Sequence, residues 1–112
     1  MASKKFRINS AASLNLTQVQ QLGGNLKGVI AVNTNVAARF LKFYDSTDIP
    51  VVGTTVPALT VQLAPSAMTS PQFPADGLGF KSSLWVAMTG GVADTDVAAI
   101  GAGDVLVTIG YD

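Results

Sequence analysis

Lys27-Gly28-Val29-Ile30-Ala31-Val32-Asn33-Thr34-Asn35-Val36-Ala37-Ala38-Arg39-Phe40-Leu41-Lys42-Phe43-Tyr44 carries the strongest structural signal in the chain. Two β-rich runs, Gly28 to Val32 and Arg39 to Tyr44, flank a short polar segment. Val, Ile, Phe and Tyr suit a pleated, half-buried surface, and Asn tolerates turn geometry. The pattern predicts a β-hairpin with a connection of about four to six residues. In the second run Phe40, Lys42 and Tyr44 share one face and Arg39, Leu41 and Phe43 the other. Each face mixes apolar bulk with one long cation. Such a strand packs inward on one side and leans on a neighbour or a partner chain on the other.

Working outward, residues 1–12 are polar or small with a basic and aromatic cluster, Lys4, Lys5, Phe6 and Arg7, and read as a loosely held N-terminal arm. Leu14, Leu16 and Val19 alternate with polar residues and indicate a first strand, with a helix over 15–22 as rival. Gly23-Gly24-Asn25 signals a turn. Residues 45–57 read as a loop, in which Pro50 and Pro57 remove ladder donors. Leu59, Val61 and Leu63 alternate cleanly, and the Ser/Pro-rich segment 64–74 is expected to cross between sheets without helix. Strands are expected around Asp76 to Phe80, Ser83 to Thr89 and Asp104 to Tyr111, with residues 90–103 forming a long loop. About seven or eight short strands at roughly ten-residue spacing predict an all-β protein. The long connections favour crossing between sheets, so the expected architecture is one antiparallel β-sandwich, jelly-roll-like or Greek key, over residues 13–112.

At 112 residues the chain fits one domain. Only 12% of it is charged, against about 25% in ordinary soluble domains. With a formal net charge of zero, colloidal repulsion is weak and association is favoved by composition. The signs are segregated. Lys4, Lys5, Arg7, Lys27, Arg39 and Lys42 precede the first acid, whereas Asp45, Asp48, Asp76, Asp94, Asp96, Asp104 and Asp112 are joined after it only by Lys81. Opposite halves pair within one fold or between neighbouring copies.

His, Cys and Glu are all absent. That removes the commonest general base, the thiolate nucleophile and sulfur-based zinc sites, so catalysis is not expected. Asp94-Thr95-Asp96 offers two carboxylates in a small-residue loop, read as a structural turn before a calcium site, which needs six to eight oxygen ligands. Gly77-Leu78-Gly79 and Gly101-Ala102-Gly103 lack the third glycine and the following helix of a dinucleotide fingerprint. Trp85, the single tryptophan, is expected in the core, with an interface anchor as alternative. The basic arm is too short for nucleic-acid binding; docking on an acidic protein surface and an unengaged tail are the readings left. No apolar h-region follows the basic start and no run approaches a membrane span, so synthesis and folding in a cytosol are expected, with no membrane association.

Asn33-Thr34-Asn35-Val36-Ala37-Ala38-Arg39-Phe40-Leu41-Lys42-Phe43-Tyr44, Pro50-Val51-Val52-Gly53-Thr54 with Pro57, Gly77-Leu78-Gly79-Phe80 and Thr89-Gly90-Gly91-Val92-Ala93-Asp94-Thr95-Asp96 together resemble small virion proteins of tailed bacteriophages. The likeness spans roughly residues 26–112, through the closing Asp104 to Tyr111 strand, and is to the capsid decoration, or cement, type. It implies a β-sandwich on the capsid exterior, or else in a tail, neck or fibre. It also implies a homo-oligomer, by family style a trimer, with the major capsid protein as partner and neither catalytic residues nor a cofactor. Lys4, Lys5, Phe6 and Arg7 are the expected capsid contacts, supplemented by Arg39 and Lys42.

Overall fold

The computed structural model describes residues 4–112. Nine strands form two antiparallel sheets: β1 (Lys4–Asn9), β2 (Thr17–Gln20), β3 (Gly24–Asn33), β4 (Arg39–Asp45), β5 (Leu59–Leu63), β6 (Ala67–Thr69), β7 (Leu78–Phe80), β8 (Leu84–Thr89) and β9 (Val105–Tyr111). Sheet A runs β1-β9-β3-β6, with β7 on the other end of β3, and sheet B runs β2-β8-β4-β5. The pairs β1–β9, β2–β8, β3–β6 and β4–β5 are nested around the β4–β5 connection. A long antiparallel ribbon folded over itself in that way is a jelly roll, with β7 as an added strand.

The sandwich core lies between the sheets. Leu26, Val29 and Ala31 of β3 and Val105, Val107 and Ile109 of β9 meet Leu41 and Phe43 of β4 and Leu84, Val86 and Met88 of β8. These positions alternate along each strand, as a period of two requires, except between Leu26 and Val29, where the β3 register shifts.

The runs predicted to form a hairpin do become β3 and β4, but they do not pair. β3 belongs to sheet A and β4 to sheet B, so residues 34–38 carry the chain across the edge of the sandwich. Asn33 sets this corner. Fully buried, it donates through Nδ2 to the carbonyls of Ala37 (3.0 Å), Leu63 (3.2 Å) and Ala64 (3.3 Å), while Oδ1 accepts from the Asn35 amide (2.9 Å). One side chain thereby ties the end of β3 to the end of β5.

The N-terminal segment is a second correction. Residues 4–9 of the expected loose arm are β1, paired with β9 from Lys4↔Tyr111 to Asn9↔Leu106; residues 1–3 lie outside the described part. Phe6 and Ile8 pack on the core while Lys5, Arg7 and Asn9 face solvent. That alternation is an amphipathic strand, and partial burial of two such side chains contributes less than the ~1.5–3 kcal/mol each that full burial would give. Ser10 then locks the exit of the strand: Oγ donates to the Gly101 carbonyl (2.9 Å) and accepts from the Val105 amide (3.1 Å).

Smaller differences have local causes. The first predicted strand starts later, at Thr17, and no helix forms there. Residues 24 and 25 open β3 instead of lying in the turn before it. The crossing segment 64–74 contains β6, three residues that the sequence pattern does not show. Gly77 turns the chain with φ +77°, where a Cβ would stand 2.4 Å from the Leu26 carbonyl oxygen, so only glycine fits.

β4 is buried on both faces. Its outer side carries Phe40, Lys42 and Tyr44, and the 90–100 loop reaches over Lys42 and Tyr44. Lys42 is fully buried, with Nζ donating to the Ala93 carbonyl, and Thr89 Oγ1 donates to the Gly91 carbonyl (2.8 Å). The small Ala87 stands opposite Lys42 on β8 and leaves room for its aliphatic stem. The Tyr44 hydroxyl is buried with no hydrogen-bond partner among the described residues, and burial, with nearby Asp94 adding to it, pushes the phenol above its ordinary value. Trp85 is half-buried on this outer side, not in the inter-sheet core, and its Nε1 donates to the Ser46 carbonyl (3.0 Å).

Candidate partner-binding face

The outer face of sheet A is built by register. One row across β1, β9 and β3 is Lys5–Gly110–Gly28, the next is Arg7–Thr108–Ile30, and the third, Asn9–Leu106–Val32, extends to Met68 on β6. Cations thus line the β1 side, and an apolar group follows: Ile30, Val32 and Met68 are 54%, 37% and 66% exposed. Lys4, at the start of β1 and on the opposite side of the strand from Lys5, has its Nζ 6.0 Å from the centre of the Tyr111 ring. β1 is an outer strand of its sheet. Charges there also discourage edge-to-edge pairing of strands, a role that needs no partner.

The structure divides the expected contact residues. It gathers Lys4, Lys5 and Arg7 on one exposed strand. Phe6, on the same strand, turns to the core and is not a surface anchor. Lys42 does not reach the surface, because the 90–100 loop covers it. Arg39 is committed to the fold: its Nε donates to Asp104 Oδ2 at 3.1 Å and one terminal nitrogen to the Ala38 carbonyl at 3.2 Å.

Arg39 and Asp104 join the basic and acidic parts of the chain inside one molecule, as do Lys27 and Asp112 at 3.9 Å. The Gly101 amide donates to the Asp104 carboxylate, and that bond, against the opposing push of burial and helped by Asn35 and Arg39, holds its pKa below the ordinary 3.8. Burial also opposes ionisation of Asp45, but amide bonds from Lys81, Ser82 and Ser83 and the Lys81 charge outweigh it, and its pKa too is lowered from 3.8. A lowered carboxylate pKa adds stability above its unfolded value that is lost as pH falls through the folded one. Acid titration should therefore lower the melting temperature progressively below about pH 4. Asp104→Ala, which also strands Arg39, should cost about 2 kcal/mol at pH 7 and flatten that acid dependence, as read by urea unfolding at pH 7 and pH 3. Equal pH slopes in both proteins would contradict the assignment.

Asp94-Thr95-Asp96 forms a turn, in which the Asp96 amide donates to the Ala93 carbonyl (3.0 Å) and Asp96 Oδ1 accepts from the Ala98 amide (2.9 Å). Among the described residues no group of three or more potential ligands is placed to hold a metal ion. Sequence reasoning missed Lys27, Gly28, Ile30, Met68, Thr108 and Gly110 as surface features. The signal present was glycine inside two strand-like runs. No family model, curated protein or solved structure matches the chain.

Proposed function

We propose that the protein is a non-enzymatic structural component of a tailed-phage virion, a cement protein that binds the outer surface of the assembled capsid. The observation that carries this reading is the outer face of sheet A. Exposed Lys5 and Arg7 on β1 merge there with exposed Ile30, Val32 and Met68 on a hydrogen-bonded support, and Lys4 adds charge at the end of the same strand. A rim of charge beside apolar area is the composition of protein-docking surfaces. Jelly rolls also recur among viral capsid and lectin domains, a likeness of fold and not of function.

The mechanism is thermodynamic. A protein that bridges neighbouring copies of the major capsid protein binds the assembled lattice and not its free subunits. By mass action it stabilises that lattice by about 2.7 kcal/mol per site when free protein is at 100 times Kd. Self-association as a trimer on local three-fold positions adds multivalent grip. Membranes and nucleic acids have no part in this scheme.

Removing β1 is a poor test, because Phe6 and Ile8 belong to the core. Charge reversal of its exposed positions is the better one. The triple variant Lys4→Glu, Lys5→Glu, Arg7→Glu should melt within a few degrees of the parent. Its affinity for capsids stripped of accessory proteins should fall at least tenfold, with the salt dependence reversed or lost. Parental binding at every salt concentration would rule out this face.

A further inference from the structure

Gly28 and Gly110 stand opposite one another in sheet A, and Lys5 faces Gly110 from the other side. Neither glycine is there for want of space. A Cβ on Gly28 would meet nothing within 4 Å, and one on Gly110 would meet only Gly28 backbone at 3.8 Å, an ordinary contact. Neither has the positive φ found at Gly53, Gly77 and Gly103. Glycine weakens a strand interior through chain entropy and a missing side chain. The fold accepts that cost at two adjacent positions with no local steric return.

What the pair creates is a trough of about 380 Å³, floored by Gly28 and Gly110 and bordered by Lys5, Lys27, Ile30 and Pro71. A bulge brings the second lysine to its rim. The β3–β9 register slips between Leu26 and Gly28, so Leu26 and Val29 both face the core and the two residues between them both line the outer side. Bulges re-aim side chains in this manner. Lys27 is only loosely held, 3.9 Å from Asp112 and 3.3 Å from the Ala75 carbonyl. Lys5 is exposed and has no ion-pair partner among the described residues.

We infer that this trough seats an Asp or Glu side chain of an acidic protein segment, its carboxylate between Lys5 and Lys27 and its chain lying over the glycine floor. Charge complementarity selects the anion. Ile30 and Pro71 offer an apolar wall to the methylenes that a carboxylate side chain carries. Two lysines across so small a trough match one or two carboxylates, whereas a nucleic-acid backbone needs a longer run of cations. The inference rests on the outer face of sheet A being the docking face, and names the chemistry of what docks.

Because Gly28 has free space above it, Gly28→Val fills the trough with a side chain that strands favour. The variant should melt at or above the parental temperature. The probe is a blocked hexaglutamate peptide titrated into the full chain and followed by amide chemical shifts. Saturable shifts should centre on Lys5, Gly28 and Gly110, with affinity at least tenfold lower in Gly28→Val and clearly lower in Lys5→Gln. An equal response in Gly28→Val would overturn the inference. So would shifts produced by oligothymidylate and not by hexaglutamate, which indicate nucleic acid, or by raising protein concentration alone, which indicate a second copy. Capsid binding separates the two levels. If Gly28→Val binds capsids as the parent does, the trough is excluded and the docking face stands. If hexaglutamate seats in the trough while capsids are not bound, the trough stands and the cement reading fails.

Discussion

Replacing Asn33 by alanine should destabilise the protein by about 3 kcal/mol, near the upper end for a single polar substitution. The amide side chain is fully buried and satisfies three carbonyls and one amide from the crossover and the end of β5. Each group left without a partner costs about 1–3 kcal/mol, and partial relaxation keeps the sum below simple addition. Asn33→Asp keeps the shape but points a carboxylate oxygen at three carbonyls, so it should cost at least as much. Urea unfolding with an unchanged m-value measures both. A loss under 1 kcal/mol in both variants would show that the corner holds without this side chain.

Lys42 should separate packing from charge. Lys42→Ala removes three carbons of buried stem and the amine beneath the 90–100 loop and should cost about 3 kcal/mol, in the range of large-to-small core substitutions. Lys42→Met preserves most of that volume and replaces a buried ammonium whose single hydrogen bond goes to the Ala93 carbonyl. Buried charges contribute little net stability compared with apolar groups of similar size. The methionine variant should therefore fall within about 1 kcal/mol of the parent, and only the alanine variant should speed proteolysis within residues 90–100. If Lys42→Met is as damaging as Lys42→Ala, the bond to the loop matters more than the packing.

The parts of the fold that were legible in the sequence are those set by local alternation. Leu59–Leu63 forms as read, and Leu84–Thr89 and Val105–Tyr111 each begin one residue later than expected, because a period of two with β-branched and aromatic residues has one solution. Of the long connections expected to cross between sheets, those after β5 and after β8 do cross, but the one over residues 46–58 returns β4 to β5 within sheet B. The pairing of neighbours was not legible. Gly28 to Val32 and Arg39 to Tyr44 look like a hairpin because they are close in sequence, and the corner depends on Asn33 reaching β5, a contact thirty residues away. The state of Lys42 was hidden for the same reason, since a distant loop covers it.

On the outer face of sheet A the basic cluster was visible, but its position at the N-terminus obscured the Lys5–Phe6–Arg7–Ile8 alternation that makes it a strand. The trough could not be foreseen, because its floor and rim come from β1, β3 and β9 and its second lysine from a bulge. Only the glycines hinted at it.

The most direct test of the cement reading is co-sedimentation of the purified protein with capsids stripped of accessory proteins, counting bound copies per capsid. Saturation at a number set by the lattice symmetry, with a raised capsid melting temperature, is the predicted result. No binding to intact capsids at low or moderate salt, with binding instead to purified tails or fibres, would contradict it.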